Sequence, residues 1–210
     1  MPDQPADPQI NPIIHQHPLA YLQRRRRRPP VNEQAHEWQL IAPTVRLHAA
    51  WLEAHNEWGP GLHEDGFGLR ATDEVDTPAG FATWVARLTG RPDPAQPTIA
   101  GQVRSTCRWI VGGSRVLGGI ALRHQLDDAS LALGHIGYGI RPSARRQGLA
   151  TWALGRMLSE AGSLGLERVL IVCAAGNIAS AKTIERNGGA LENIRDAEFG
   201  TVRRYWITIS

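Results

Sequence analysis

The stretch that most constrains this chain is Ile140 to Thr151, Ile-Arg-Pro-Ser-Ala-Arg-Arg-Gln-Gly-Leu-Ala-Thr. Leu131 to Ile140 reads as a strand, Pro142 stops it, and from Gly148 onward Ala150, Ala153, Leu154, Met157, Leu158 and Ala161 recur at helical spacing. A strand therefore runs through a basic turn into an amphipathic helix. The first N–H groups of a helix lack partners within it, and the macrodipole puts partial positive charge there, so such a turn suits an anion. Arg145 and Arg146 add full charges. Gly148 lacks a Cβ and lets a bulky phosphate group approach the main chain, and Ala150 keeps the helix entrance open. The turn has neither Gly-x-Gly-x-x-Gly nor Gly-Lys-Ser/Thr, so the dinucleotide fingerprint and the Walker loop are excluded.

The remaining pattern supplies the framework. Trp38 to Ile41 reads as a short strand, and Leu47, Ala50, Trp51, Ala54 and Trp58 form a helical stripe closed by Gly59-Pro60-Gly61. A second helix is signalled by Thr77 as N-cap, Pro78 at the first helical position and the stripe Phe81, Trp84, Val85, Leu88. From residue 104 the period changes to two. Cys107, Trp109 and Val111 alternate with Thr106, Arg108 and Ile110, and Gly112-Gly113 turns into Val116 to Leu122. Leu131 to Ile140 then returns as a third antiparallel strand. Val169 to Cys173 is a continuous apolar run, which predicts a strand covered on both faces and parallel to the third. Asn177 caps a helix with Ile178, Ala181 and Ile184 inward, and Tyr205 to Ile209 is a last strand in a closing hairpin.

These motifs resemble the GNAT superfamily of N-acetyltransferases. Arg145-Arg146-Gln147-Gly148-Leu149-Ala150 is similar to its Gln/Arg-x-x-Gly-x-Gly/Ala signature, Asn177-x-x-Ser180 to its Asn-x-x-Ala/Ser, and Glu185 followed by Gly188 to its Glu-x-x-Gly. The resemblance covers residues 38 to 210. It implies an α/β (α+β) fold: a mixed, mostly antiparallel sheet with a central parallel strand pair and flanking helices. It also implies acetyl-coenzyme A as co-substrate and no metal. The cofactor would lie against Gly139, Ile140, Arg145, Arg146, Gln147, Gly148, Leu149, Ala150, Thr151, Asn177 and Ser180, with Asn177 on the pantetheine arm. Backbone donors near Gly139 and Ile140 would polarise the thioester carbonyl.

For acetyl transfer to a primary amine by direct attack, a base must take a proton from the ammonium form. Gly134-His135-Ile136-Gly137-Tyr138 resembles the family's Glu-Ile-Gly-Tyr, so His135 stands where a glutamate would be, and imidazole titrates near neutrality. His124 is a second candidate, and a hydrogen-bonded structural role is the alternative for both. The tyrosine that many members use as acid is replaced by the sequence Thr183-Ile184-Glu185, leaving Tyr138 or Tyr205 as substitutes or an unassisted thiolate. That departure keeps a catalytically idle coenzyme A-binding module, or a nucleic-acid or ribosome-binding module, as the rival reading.

Composition sets the outer limits. With 42% hydrophobic and 20% charged residues in 210, one core with an appendage is expected. Residues 1–36 are proline-rich, carry Arg24 to Arg28 before Pro29-Pro30, and read as a disordered arm, with the acetyltransferase domain at 37–210. The arginine run either contacts nucleic acid or ribosomes, or is a solvated extension; no aromatics interleave with it, which favours the second. Cys107 and Cys173 form no disulfide framework or metal spacing, and the start has no positive and apolar leader pattern, so a reducing cytoplasmic setting without a membrane partner is expected. The acidic loop Gly61 to Asp76 either selects a cationic acceptor or is a plain surface loop.

Overall fold

The computed structural model describes residues 38–59, 68–90, 104–127, 130–198 and 200–209. The strands are β1 (Trp38–Ile41), β2 (Ser105–Gly112), β3 (Arg115–Arg123), β4 (Ile136–Ile140), β5 (Arg168–Ala174), β6 (Ala190–Ala197) and β7 (Gly200–Thr208). The helices are α1 (His48–Trp58), α2 (Pro78–Leu88), α3 (Leu149–Ser163) and α4 (Ile178–Arg186). Two antiparallel sheets result, in the orders β1-β2-β3-β4 and β5-β7-β6. The mixed α/β architecture with flanking helices is the expected one.

The period-two pattern of β2 splits the first sheet's burial between two cores. Cys107, Trp109 and Val111 face Trp51 of α1 and Phe81, Trp84, Val85 and Leu88 of α2. Ile110, with Ile120 and Leu122 of β3, faces Leu149, Ala153, Leu154 and Met157 of α3. Val169 and Ile171 of β5, Ile184 of α4 and Tyr205 of β7 complete that second core. Each fully buried aliphatic side chain contributes about 1.5–3 kcal/mol before chain entropy is counted, so α3 is fixed along its inner stripe while its N-terminus meets solvent.

Two details of strand arrangement are corrected. The third strand is shorter than the span from Leu131: Asp127 and Ser130 exchange bonds, Asp127 N–H to Ser130 Oγ at 2.8 Å and Ser130 N–H to Asp127 Oδ1 at 2.7 Å. These local bonds set up a 3-10 turn at Ser130–Ala132, and Gly134 follows at φ +78°, so β4 begins only at Ile136. The central parallel pair is not a ladder. Among the described residues all ladders are antiparallel, and β5, buried as its apolar run predicts, pairs with β7. The two sheets meet at an isolated bridge between Gly134 and Ile171. The reason is chemical: the N–H of Leu170, a donor that a neighbouring strand would need, goes to the His135 imidazole Nδ1 at 2.9 Å.

Among the described residues no helix is long and apolar enough to cross a membrane.

Candidate active site

The turn between β4 and α3 is built from inside outward. Pro142–Ala144 forms one 3-10 turn, Arg146 stands at φ +62° and Gly148 at φ +88°, and α3 starts without a side-chain cap. Arg146 is the one non-glycine residue with positive φ among those described; the left-handed conformation costs about 1–2 kcal/mol there. The main-chain N–H groups of residues 146 to 151 have no acceptor among the described residues, whereas Trp152 N–H resumes helical bonding to Gly148 O at 3.0 Å. A Cβ added to Gly148 would meet nothing within 4 Å. Open space, unpaired donors and the helix dipole therefore coincide, and an anionic phosphate group fits them.

The predicted cradle residues contribute unequally. Leu149 is buried in the core, so only its N–H faces the turn. Ala150 and Thr151 are half-buried, and Gln147 is exposed. Arg145 is tied to the protein: its Nε donates to Ile140 O at 2.9 Å and its guanidinium lies 5.3 Å from the Trp58 ring centroid. Arg146 is exposed and carries no ion pair among the described residues.

Beneath the turn lies a group the sequence reading missed. Arg141 is 3% exposed, with Nε on Glu57 Oε2 at 2.6 Å, Nη2 on Glu53 Oε1 at 2.8 Å and Nη1 on Val116 O at 3.2 Å. Its Nη2 also contacts Glu57. Glu57 in turn accepts Ser143 N–H at 2.5 Å and Ser143 Oγ–H at 2.9 Å. Burial pushes the Glu57 carboxyl up, but the bonds from Ser143 and Arg141 outweigh it and hold the group below its ordinary range. Burial likewise opposes the Arg141 charge, yet the two glutamates leave it raised. Helix α1 is thereby bolted to the strand end that carries the cradle. The i, i+4 pair Glu53 and Glu57 was the available signal.

Strand β4 leads into the turn and, among the described residues, shares no ladder with β5. The bonds Arg123 N–H to His135 O (2.7 Å) and Arg141 N–H to Leu117 O (2.9 Å) fix the phase of the β3–β4 ladder. Odd-numbered residues of β4 bond to β3, so the Gly139 N–H is used in the sheet, whereas the Tyr138 and Ile140 amides point away from it. Of the two expected oxyanion donors, Ile140 keeps a free direction and Gly139 does not. Tyr138 reaches α4, its OH 2.8 Å from Ser180 Oγ. Asn177 caps α4, Oδ1 accepting Ser180 N–H at 3.0 Å, which leaves its amide group for other contacts. Asn187, also missed, donates Nδ2–H to Thr151 O at 3.2 Å and to Thr183 O at 2.9 Å, joining α3 to α4.

The histidines and the second tyrosine lie elsewhere. His135 is 8% exposed; its backbone N–H donates to Leu170 O at 2.7 Å while its Nδ1 accepts Leu170 N–H. The neutral ring then bears its proton on Nε2 and has no lone pair left over. Burial first, with Arg123 nearby adding to it, holds its pKa below the ordinary value. The geometry does not support the expected role as base. His124 Nε2 pairs with Thr106 Oγ1 at 2.8 Å. Tyr205 is buried, and its OH donates to Glu185 Oε1 at 3.0 Å, so its hydroxyl is already engaged. In the acidic loop, Arg70 N–H donates to Asp73 at 2.6 Å and Arg87 pairs with the same carboxylate; Glu74 and Asp76 are exposed, while His63, Glu64 and Asp65 fall outside the described residues. The arm with Arg24 to Arg28 also lies outside them.

Comparison with known proteins agrees with this arrangement. Residues 24–190 match the acetyltransferase (GNAT) domain family, so the chain belongs to that family and is an N-acetyltransferase. Acetyl-coenzyme A is the acetyl donor of the class. The match begins inside the segment that composition set apart as an arm. Among curated protein sequences none matches significantly. The fold is similar to that of the microcin C7 self-immunity acetyltransferase MccE, in complex with acetyl-CoA and AMP (17% identity, TM-score 0.59, over 82% of this chain and 92% of that one). It is also similar to the ribosomal L7/L12 alpha-N-protein acetyltransferase RimL with coenzyme A (18%, 0.59, 82% and 94%) and to Mycobacterium smegmatis RimJ with CoA-disulfide (18%, 0.59, 81% and 81%).

Proposed function

We propose that the chain transfers an acetyl group from acetyl-coenzyme A to a primary amine by direct attack on the thioester. The observation that carries this reading is the run of unpaired N–H groups at residues 146 to 151 beside the open side of Gly148. In this reading those amides and Arg146 hold the pyrophosphate, with Arg145 shaping the wall. Asn177 and Ser180 take the pantetheine arm through the side-chain amide and hydroxyl, and the Ile140 N–H polarises the thioester carbonyl. As the amine nitrogen bonds to the carbonyl carbon, the carbon–sulfur bond breaks and the thiolate leaves. Tyr138, its OH bonded to Ser180 Oγ, gives its proton to the thiolate and takes up the one that the nitrogen sheds on becoming an amide, so the phenol is restored. A free thiol has a pKa of about 8.5, so this assistance is modest. The ammonium proton is lost to water, since the imidazole lone pair of His135 is engaged.

Titration calorimetry with acetyl-coenzyme A, followed by an acetyl-transfer screen over peptide N-termini, lysine peptides and small amines, tests the reading. Binding at micromolar ligand with transfer to at least one amine is expected. Binding without transfer to any amine would favour the idle coenzyme A-binding module instead. We also read residues 37–210 as the catalytic domain and residues 1–36 as an arm outside it. Deleting 1–36 should then leave turnover of a small amine unchanged; failure of the shortened chain to fold would move the boundary toward residue 24, where the family match begins.

A further inference from the structure

The junction of the two sheets contains a buried titratable ring that the transfer reaction does not use. His135 sits immediately before β4, beside Gly134 at φ +78°, and is fixed from three sides. Its carbonyl accepts Arg123 N–H from β3 at 2.7 Å, its N–H donates to Leu170 O of β5 at 2.7 Å, and its Nδ1 accepts Leu170 N–H at 2.9 Å. Arg123 also donates from Nη1 to Gly134 O at 3.1 Å. One backbone unit of β5 is thus gripped by both the main chain and the ring of one residue. Beyond this point the strands share no ladder among the described residues, and Tyr138 reaches Ser180 of α4. The grip therefore lies at the isolated bridge between the sheets, just ahead of the β4 segment that carries Tyr138 and Ile140.

We propose that His135 is a positioning residue that sets the opening of the donor cleft: its neutral ring closes the sheet junction as an acceptor, and a second proton on the ring releases it. The assignment rests on the proposed placement of acetyl-coenzyme A between β4 and β5. Protonation must occur at Nδ1, because Nε2 already carries the hydrogen. An Nδ1–H facing the Leu170 N–H opposes two donors, removes the bond and strands a buried N–H, which costs about 1–3 kcal/mol in comparable sites. The surrounding charges act in the same direction. Arg123 lies on β3. On the other side the ring neighbours Trp206 of β7 (6.4 Å between centroids), which carries Arg168 of β5 over its face at 4.4 Å and donates to Glu192 of β6 at 3.0 Å. Arg204 of β7 binds Leu131 O and the same Glu192. Of these, Arg123 acts directly against a cationic ring, so the junction stays closed near neutral pH and loosens as pH falls below the ordinary histidine range, about 6.5.

The test uses His135→Asn, whose side-chain oxygen falls near the position of Nδ1 and does not titrate, and His135→Ala, which has no acceptor. Acetyl-coenzyme A affinity is measured by calorimetry at pH 7.5 and 5.5, and exchange of the Leu170 amide is followed by NMR in the ligand-free protein over the same range. In the native chain affinity should fall about tenfold more than in His135→Asn between the two pH values, with loss of Leu170 protection. His135→Asn should keep native affinity and turnover at pH 7.5 within a few-fold, and His135→Ala should raise the KM for acetyl-coenzyme A at both pH values. Native and His135→Asn proteins with the same pH response would overturn the proposal. So would His135→Asn with unchanged affinity but turnover reduced on the order of 10²-fold, which is the signature of a base. If the native chain bound no acetyl-coenzyme A, the functional reading would fail, while pH-dependent protection of Leu170 absent from His135→Asn would still establish the clamp, and pH-independent protection would refute it.

Discussion

Helices α3 and α4 are joined through Asn187 and begin in opposite ways. Helix α4 opens on Asn177, whose side chain accepts the Ser180 N–H, and α2 opens on Thr77, which does the same for Gly80 N–H at 3.1 Å. Helix α3 opens on Gly148, with no side chain to cap it and with unpaired amides running back to Arg146. A Ser, Thr, Asp or Asn cap is worth about 1 kcal/mol, so its omission at the entrance of α3, the longest helix among the described residues, is a local cost that the folded chain does not recover. The difference teaches what each helix start is for. Those of α2 and α4 carry a side-chain cap of their own; that of α3 leaves its amides open, as the proposed pyrophosphate site requires.

Supplying α3 with its own anion should erase the distinction. Gly148→Asp places a carboxylate at the N-cap position, where the amides and dipole would hold it in place of pyrophosphate. Acetyl-coenzyme A affinity should fall on the order of 10²-fold or more, about 3 kcal/mol. The fold should survive, because the left-handed φ costs only about 1–2 kcal/mol and the cap bond offsets part of it. Gly148→Ala is the matched control: it meets the same backbone cost but places a methyl group in open space, so affinity should fall far less. Equal losses for the two, measured by calorimetry on proteins of checked melting temperature, would show that backbone conformation rather than the vacant amides governs binding.

The cradle also depends on what lies under it. Arg141→Met should cost about 2 kcal/mol; the usual 3–5 kcal/mol for breaking a buried pair is discounted because Glu53 and Glu57 are 59% and 24% exposed and can rehydrate. The pH dependence follows from Glu57. Its folded pKa is depressed, so the unfolded chain binds the proton first; its stabilisation is full above the unfolded carboxylate value of about 4.3 and is lost as pH falls through the lower folded value. Melting temperatures between pH 6 and pH 3 should therefore drop more steeply for the native chain than for Arg141→Met. Parallel curves would mean that the ion pair does not set the acid stability of this region.

How far the sequence could be read follows the same division. The α3 entrance was legible because strand end, proline, glycine and helical stripe are contiguous, and its chemistry resides in the backbone. The Asn177 cap, three residues from its partner, was legible for the same reason. The Arg141 cluster was not, since its glutamates are 84 and 88 residues away and only packing of α1 brings them near. The contact that engages His135 was not legible either, because alternation along a strand says which side a ring faces but not that the neighbouring strand offers it a backbone N–H. Strand β6 carried no period-two signal of its own, being exposed along nearly its whole length at the edge of the second sheet.

The finest distinction lies between a cap that only ends a helix and one that also meets a ligand. Thr77→Ala and Asn177→Ala should each destabilise the chain by about 1 kcal/mol, since each removes one cap acceptor. Only Asn177→Ala should weaken acetyl-coenzyme A binding, by a few-fold, because α2 lies against the other core and Thr77 has no part in the cleft. Asn177→Asp separates the two roles within one residue. A carboxylate keeps the acceptor for Ser180 N–H and suits the helix dipole, so stability should be retained or slightly raised, but it removes the amide donor that the proposed pantetheine contact requires. Affinity should then fall at least as far as in Asn177→Ala while the melting temperature does not. Native affinity in Asn177→Asp would reduce Asn177 to a cap like Thr77, and the unpaired start of α3 would stand as the one helix entrance of the described fold reserved for the donor.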